Sequence, residues 1–169
     1  MFNKKTIHDI NCKNKTVLVR VDYNVPMSDG VIQDDYRIRQ SLPTLNYLIS
    51  QHCKLVLIAH LGRPDGRVDK QYSLEPVARR LSKLIDQKVL FANDCIGSAV
   101  DARLKQLRPG GILLLENLRF HPEEESNDPA FAKALASGMS LFVQDGFGVV
   151  HRAHASTDAI LPPHWVTHG

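Results

Sequence analysis

The chain has 169 residues, of which 43% are hydrophobic and 23% are charged, and its formal net charge is +3. That length can bury one substantial hydrophobic core, and the composition is ordinary for a globular domain. Because the positive charge is not gathered into a lysine- and arginine-rich run, and no aromatic residues alternate with basic ones, nucleic acid is not expected as a partner.

Other classes of protein are also disfavoured. No apolar run is long enough to span a bilayer, and Met1 to Ile10 lacks the apolar stretch of a signal peptide. Three widely spaced cysteines, Cys12, Cys53 and Cys95, show no metal-binding spacing, so they are interpreted as reduced thiols of a cytoplasmic protein. Cys95 is assigned to packing, and no metal site is expected. The protein is expected to be a monomer without a membrane partner.

Apolar periodicity predicts a regular alternation of strands and helices after a polar lead-in of about fifteen residues. In chain order, the predicted elements are a strand at 16–21, a helix at 38–49, a strand at 55–59, a helix at 74–85, a strand at 88–91, a helix at 100–107, a strand at 112–115, a helix from 129 to 137 and a strand at 141–144. This alternation predicts an α/β fold, a Rossmann-like open parallel sheet with helices on both faces in three layers.

Individual residues mark the ends of these elements. Pro43 either kinks the first helix or lies in a new first turn capped by Ser41. Ser73 is the predicted N-cap of the second helix, while Asp128 caps the last helix and Gly138 follows its C-terminus. Residues 28–30 predict a turn. Residues 160–169 have no clear periodicity and are interpreted as a fragment boundary or an expression remnant.

Four short polar motifs follow four of the predicted strands. They are Asp22-Tyr23-Asn24, His60-Leu61-Gly62-Arg63, Glu116-Asn117-Leu118-Arg119 and His151-Arg152-Ala153-His154. In a parallel sheet the carboxyl ends of the strands share one edge, which is where open α/β sheets bind ligands. Arg63, Arg119 and Arg152 come from separate loops, and Arg37 lies near the same edge. Arginines that converge in this way predict a small, phosphorylated anion as the ligand.

The remaining polar residues refine the expected ligand. His60 and His151 can add hydrogen-bond donors and are cationic only if their surroundings raise the pKa. Asp22 can accept from a substrate hydroxyl, or can simply hydrogen-bond the turn that follows it. Asn24 can donate to a carboxylate. The implied ligand carries a phosphate at one end and a hydroxyl and a carboxylate elsewhere.

Other residues have ordinary structural interpretations. His154 is more typical of a structural hydrogen bond than of catalysis. His121, beside the acidic run 123–125, is expected to lie in an exposed loop. Neither a GxxxxGK[ST] loop nor a GxSxG elbow is present, and Gly146-Phe147-Gly148 is too short for a dinucleotide fingerprint.

Several of these motifs together resemble one known family. They are Val17-Leu18-Val19-Arg20-Val21-Asp22-Tyr23-Asn24-Val25-Pro26, Arg37-Ile38 ahead of Leu42-Pro43-Thr44, His60-Leu61-Gly62-Arg63-Pro64, Glu116-Asn117-Leu118-Arg119-Phe120, Asp145, Phe147-Gly148 and His151-Arg152-Ala153-His154. In this order they resemble the N-terminal domain of the phosphoglycerate kinases, and the resemblance covers nearly all of residues 6 to 162. The departures are Gln144, Gly146 and the pair Val149-Val150, where the family usually has Asn, Ala and Thr-Ala.

The resemblance implies a domain that binds 3-phosphoglycerate or 1,3-bisphosphoglycerate. In the family, matches to Asp22 and Asn24 contact the glycerate part, and the match to Arg37 helps to stabilise the transferred phosphoryl group, so Arg37 is the implied catalytic residue. The matches to His60, Arg63, Arg119 and Arg152 form a basic patch around the other phosphate. The full implied substrate-binding set is Asp22, Tyr23, Asn24, Arg37, His60, Leu61, Gly62, Arg63, Arg119 and Arg152.

The same resemblance assigns the nucleotide to another part of the protein. Residues 1–169 correspond to a single substrate-binding domain, whereas the family's C-terminal domain carries the Mg-ATP/ADP site and a catalytic lysine. The expected partner is therefore the protein's own C-terminal domain, and no cofactor is expected in this chain. By itself the chain is expected to bind substrate without turnover. The rival hypothesis is a non-catalytic domain that uses the same fold to bind a phosphometabolite or a partner.

Overall fold

The strands of the protein were located in a computed structural model that describes residues 5–160 and the backbone of 167–168. Most of the predicted boundary segment, 160–169, therefore lies outside the described residues. The strands of the described part are β1 (Lys5–Thr6), β2 (Thr16–Arg20), β3 (Met27–Ser28), β4 (Val31–Ile32), β5 (Lys54–Ile58), β6 (Val89–Ala92), β7 (Ile112–Leu115), β8 (Leu141–Gln144) and β9 (Thr167–His168). The five predicted strands are present, each within one residue of its expected bounds.

Seven of these strands form one sheet in the order β1-β9-β8-β2-β5-β7-β6, and every pairing within it is parallel. The predicted parallel α/β sheet is thus confirmed. The two-residue strands β1 and β9 have no apolar period and were not predicted. The predicted turn at 28–30 connects β3 and β4 as a separate antiparallel hairpin, because Asp29 and Gly30 both have the positive φ that a tight hairpin needs.

Along the chain, helices alternate with the strands of the sheet as predicted. The α-helices are α1 (Tyr36–Ser50), α2 (Glu75–Ile85), α3 (Ser98–Leu104), α4 (Pro122–Glu125) and α5 (Pro129–Leu135), with 3-10 turns at Lys70–Tyr72 and Leu118–Phe120 and a π-helical turn at Ala155–Ala159. None of the described helices has the length and apolar character needed to cross a membrane.

The sheet separates two hydrophobic clusters, which makes the architecture three-layered. Side chains alternate across a strand, so Val17 and Val19 of β2 join one cluster and Leu18 joins the other. Residues of α1 and α2 pack in the first cluster, and residues of α3 and α5 pack in the second. Burial on both faces explains why the central strands are continuous apolar runs.

Helix α1 continues through Pro43, so of the two alternatives for this proline the new first turn capped by Ser41 is wrong. Proline lacks the N–H that would bond one turn back, yet the helix persists because its apolar face, including Leu45 and Leu48, is buried in the core. Ser41 Oγ donates to the Ile38 carbonyl at 2.8 Å and does not cap a helix.

The other predicted helix ends are largely present. The N-cap of α2 is Leu74, one residue after the predicted Ser73, although Ser73 Oγ accepts from the Glu75 N–H at 3.2 Å. Asp128 accepts from the Phe131 N–H at 2.7 Å and caps α5 as predicted. Helix α5 ends at Leu135, two residues before the predicted end, and Gly138 with φ +75° lies in the turn that follows.

Candidate functional site

The candidate site lies at the carboxyl ends of β2, β5, β7 and β8. Strand β5 flanks β2 on one side and β8 flanks it on the other, so the chain reverses its order of strand addition at β2. This switch point is where open α/β sheets form a ligand crevice. A cavity of about 450 Å³ opens there, and its lining includes Asp22, Arg37, Asp145, Phe147 and Gly148.

Asp22 and Arg37 form an ion pair at the mouth of this cavity. Arg37 Nη1 lies 2.5 Å from Asp22 Oδ2, and the two side chains are 48% and 18% exposed, so both are reachable by a ligand. Asp22 Oδ1 also accepts from the Asn24 N–H at 3.3 Å. Asp22 can therefore bond the turn and face a ligand at the same time, because Oδ1 bonds the turn and Oδ2 lies at the mouth of the cavity with Arg37.

A hydrogen bond joins the first and second motifs. Asn24 Oδ1 accepts from the Gly62 N–H at 2.9 Å. Gly62 has φ +62°, and a Cβ at this position would lie 2.3 Å from the Tyr72 ring. Only glycine fits there, so the loop can pass closely between Asn24 and the aromatic ring.

Asn117 fixes the second and third motifs relative to one another. Its Nδ2 donates to the carbonyls of Leu61 and Tyr72 at 2.7 and 2.9 Å. Its Oδ1 accepts from the N–H groups of Leu61 and Arg119 at 3.3 and 3.0 Å. A single buried amide thus holds three backbone segments, a positioning role that the sequence motif did not reveal.

Glu116 anchors the same loop to helix α2. One carboxylate oxygen accepts from the Leu74 and Asn117 N–H groups at 2.8 Å each, and the other accepts from Ser73 Oγ at 2.7 Å. The carboxylate is buried but fully hydrogen-bonded, as buried charges must be. It is placed for structure and does not face the cavity edge.

Arg119 is the most unusual of the predicted arginines because its guanidinium is buried and incompletely paired. Nη1 donates to the Gly62 carbonyl at 3.0 Å, and Nε lies 3.7 Å from Glu125 Oε1. Nε and Nη2 have no hydrogen-bond partner among the described residues. Burial lowers the pKa of Arg119, and the nearby charges of Arg152 and Arg63 act in the same direction. The charges of Arg63 and Arg152 therefore act on Arg119, and two buried nitrogens of Arg119 lack hydrogen-bond partners among the described residues.

His60 contributes a neutral donor to this cluster. The ring is buried, and its Nδ1 lies 2.9 Å from Nη2 of Arg20, which can only donate. Nδ1 is therefore the acceptor, and the ring proton resides on Nε2. Burial, followed by the positive charges of Arg20, Arg119 and Arg152, lowers the pKa of His60 to about 2. His60 is consequently uncharged at neutral pH, and its Nε2–H is a donor.

Arg20 is a charged residue of the site region that the sequence motifs did not single out. It is fully buried at the end of β2, where Nε donates to Ser156 Oγ at 2.9 Å. Burial lowers the pKa of Arg20 to about 10, so the side chain remains protonated. A lone arginine within an apolar strand sequence was the signal available for finding it.

Glu124 balances this buried charge, and its predicted exposure is wrong. The carboxylate is fully buried and accepts from Ser156 Oγ at 2.6 Å and from the Ser156 N–H at 3.0 Å. It joins Arg20 through the shared serine hydroxyl. Glu123 and Glu125 on either side are exposed, as expected of a charge run. An acidic tripeptide cannot reveal which member faces inward without the helix orientation.

Two predicted histidine environments have different outcomes. His121 was expected in an exposed loop, but its side chain is only 26% exposed and its Nε2 lies 2.7 Å from Asp94 Oδ1. The backbone N–H of His154 donates to Thr157 Oγ1 at 3.1 Å, and the structural role of the His154 imidazole stays a prediction. Burial lowers the pKa of His154. His151 is exposed and remains near the loop of Arg152.

Besides His60 and Arg119, Tyr23 and Leu61 of the predicted substrate-binding set have buried side chains. Tyr23 is fully buried, and its hydroxyl lies 2.9 Å from Ser41 Oγ. Burial raises the pKa of the Tyr23 phenol. Leu61 is buried in the core as well. Any contact of these residues with a ligand is left to their backbone groups.

The loop after β8 contains the sequence departures and an additional acidic group. Asp145 accepts from Thr44 Oγ1 at 3.1 Å, and burial raises the pKa of Asp145 to about 6. Gln144 Oε1 accepts from the Gly146 N–H at 3.1 Å, whereas Gln144 Nε2 is buried without a partner among the described residues. The substituted glutamine therefore braces the turn that leads toward Arg152.

Comparison with known proteins identifies the family. The family model described as phosphoglycerate kinase matches residues 7–164. The chain belongs to the phosphoglycerate kinase family. It is similar to the phosphoglycerate kinases of Pelotomaculum thermopropionicum, with 53% identity over 157 residues, and of Moorella thermoacetica, with 52% identity over 157 residues. The resemblance predicted from the motifs is confirmed.

Solved structures of phosphoglycerate kinases have the same fold. The enzyme from Coxiella burnetii matches 96% of this chain with a TM-score of 0.84 and 38% identity. The enzyme from Pyrococcus horikoshii matches 98% of the chain with a TM-score of 0.88 and 35% identity. The match to each of the two curated relatives includes 93% of this chain. It spans only 40% of the length of either relative.

Proposed function

We propose that this chain supplies the substrate side of a glycolytic phosphoglycerate kinase, a phosphotransferase with a carboxyl-group acceptor. The reaction is the reversible transfer of a phosphoryl group between 1,3-bisphosphoglycerate and ADP, which gives 3-phosphoglycerate and ATP. The observation that supports this proposal most strongly is the buried Arg119 with two unpartnered donors. Family membership and the convergence of Arg63 and Arg152 on the same guanidinium add support.

The phosphate of 3-phosphoglycerate is the group that this cluster fits. A phosphate monoester is nearly dianionic at neutral pH and accepts several hydrogen bonds. Arg119 offers Nε and Nη2, His60 offers a neutral Nε2–H, and the exposed Arg63 and Arg152 can fold onto the outer oxygens. Guanidinium groups suit this task because they remain charged and donate in pairs.

The glycerate part is proposed to lie along the cavity toward Asp22. Its hydroxyl can donate to the Asp22 carboxylate, and Asn24 lies at the adjoining loop. A ligand hydroxyl that engages Asp22 would weaken its bond to Arg37, so the half-exposed Arg37 could turn toward the transferred phosphoryl group. We propose this charge-stabilising role as the catalytic function of Arg37.

Residues 1–169 are proposed to form the N-terminal domain, with Mg-ATP or Mg-ADP held by a C-terminal domain. The carboxylates that line the described cavity fit a magnesium ion poorly, because Asp22 is paired with Arg37 and Asp145 already accepts from Thr44 Oγ1 at 3.1 Å. No step of the proposed mechanism therefore places a metal on this chain. Because transfer requires both substrates to be aligned, the chain alone is expected to bind without turnover.

We further propose that the protein acts in the cytoplasm as a monomer in concert with its own C-terminal domain. The three cysteines are free and buried, which fits a reducing compartment.

A calorimetric titration of the chain with 3-phosphoglycerate tests the proposal. Arg63 is exposed, so Arg63→Ala should fold normally and weaken binding by about 10-fold or more, the value of a charge-assisted hydrogen bond. Arg67→Ala removes another exposed arginine of the same loop and is the matched control. Absence of saturable binding by the folded chain, or equal weakening in both variants, would contradict the proposed site.

A coupled assay tests the division of labour between domains. The purified 169-residue chain should not transfer a phosphoryl group from 1,3-bisphosphoglycerate to ADP. Turnover above the uncatalysed rate would show that nucleotide binding and catalysis both reside in this chain. Binding of 3-phosphoglycerate combined with no turnover by the longest natural form of the protein would instead favour the non-catalytic alternative.

A further inference from the structure

A cluster of three potential metal ligands lies outside the arginine-rich site. Asp94 and Cys95 follow strand β6, and His121 follows the short turn after β7. These strands are parallel neighbours in the sheet, so their following loops are brought side by side. One ligand atom from each residue, a carboxylate oxygen, the thiol sulfur and an imidazole nitrogen, lies within 4.8 Å of the other two.

The geometry requires only a small contraction to form a metal site. Ligand atoms of a tetrahedral zinc ion with bonds of about 2.0–2.3 Å are separated by roughly 3.4–3.8 Å. The hydrogen-bonded pair of Asp94 Oδ1 and His121 Nε2, now 2.7 Å apart, would open by less than about 1 Å to admit the ion. The longer separations would close by about 1 Å. Asp94 is 43% exposed and can make this adjustment by side-chain rotation.

The surroundings of Cys95 favour a positive charge. Burial of the sulfur, followed by the negative charges of Asp94, Glu124 and Glu116, raises the pKa of the Cys95 thiol. Glu116 and Glu124 are held in place by hydrogen bonds from the neighbouring loops, so their negative field is a fixed feature of the fold. A cation beside the sulfur would be stabilised by this field.

His121 is oriented toward the other two residues by independent contacts. The His121 ring packs against Phe131 with centroids 5.3 Å apart. The backbone N–H of His121 donates to the Leu118 carbonyl at 3.2 Å. The imidazole therefore approaches Asp94 from a fixed backbone. Preorganisation of one ligand reduces the entropy that must be lost when a metal binds.

We propose that Asp94, Cys95 and His121 form a binding site for a zinc-class divalent cation. Thiolate and imidazole ligands select borderline metals such as Zn²⁺ and Co²⁺ over Mg²⁺ and Ca²⁺. Binding forms a sulfur–metal bond, breaks the S–H bond and releases the proton to solvent, with no change of oxidation state. Three protein ligands leave a fourth position for water or another small ligand.

Titration of the metal-free chain with Co²⁺ tests this site, because cobalt reports its ligands spectroscopically. One equivalent should produce a thiolate-to-metal charge-transfer band and the intense visible bands of tetrahedral cobalt, and Zn²⁺ should displace it. Cys95→Ser should remove the charge-transfer band. His121→Gln should weaken Co²⁺ binding by more than about 10-fold, since even outer-shell partners are worth that much.

Two further variants make the result decisive. His52→Asn changes an exposed histidine with φ +58°, a conformation that asparagine tolerates, and should leave Co²⁺ binding unchanged. Asp94→Asn alters an accessible side chain and should weaken binding even if Cys95→Ser does not fold. A charge-transfer band that persists in folded Cys95→Ser, or equal affinity in Asp94→Asn and His52→Asn, would overturn the proposal.

Discussion

An Arg119→Met substitution is expected to stabilise the free chain while it weakens affinity for 3-phosphoglycerate. Arg119 has two buried nitrogens without partners, and each unsatisfied donor costs about 1–3 kcal/mol. Methionine fills a similar volume without them, but it loses the Nη1 bond to the Gly62 carbonyl, which is worth about 1.5–3 kcal/mol. The attractions of Glu125 and Glu124 offset the repulsion from Arg152 and Arg63, so the expected net stabilisation is about 1–2 kcal/mol.

Urea unfolding with and without 3-phosphoglycerate measures both effects in one experiment. Ligand should stabilise the wild-type chain by mass action and should have little effect on Arg119→Met. Arg63→Met is the matched control, since its exposed side chain should affect ligand-dependent stability but not the stability of the free chain. Destabilisation of the ligand-free Arg119→Met chain would refute the inference that the guanidinium is held at a cost for binding.

Three other perturbations have distinct expected outcomes. Glu124→Gln should destabilise the chain by about 3 kcal/mol in urea unfolding, because a buried donor loses its acceptor and the charge opposite a buried arginine is lost. The control Glu123→Gln changes an exposed side chain and should alter the free energy of unfolding by less than about 0.5 kcal/mol. Burial raises the pKa of Asp145 to about 6, so its contribution to stability is fully present below about pH 4 and is lost as the pH rises through about 6; Asp145→Asn should remove this part of the pH profile of unfolding. Gly62→Ala should cost more than Gly30→Ala in thermal unfolding, because both have positive φ, worth about 1–2 kcal/mol, but only Gly62 also meets an aromatic ring at 2.3 Å.

The sheet could be predicted from sequence because its strands are buried on both faces. In the sequence such strands are continuous runs of β-branched and apolar residues, and glycine or proline residues mark where the runs end. For the hairpin of β3 and β4, only the turn at Asp29-Gly30 could be predicted, because a strand of two residues is too short to show an alternation of apolar and polar residues. Pro43 was misleading for a related reason, since local proline preference was overridden by burial of the helix face that contains Leu45.

The candidate site was predictable to the extent that its residues occur in motifs after strands. Arg119 and His60 were placed correctly at the shared edge, but sequence could not show that one is an incompletely paired cation and the other a neutral donor. Those properties depend on burial and on the tautomer imposed by Arg20. Arg20 and Glu124 were missed as a pair because they meet through Ser156, which is remote from both in the chain.

The parallel pairing of β2 with β8 also constrains the order in which the protein can fold during synthesis. The two strands are separated by roughly 120 residues, which a ribosome adds in about 6–25 s. Until β8 emerges, one hydrogen-bonding edge of β2 has no native neighbour, and Ser156 is not yet available to Arg20. The nascent chain must therefore hold an arginine-bearing strand edge open for seconds, a period in which a chaperone or a second nascent chain could occupy it.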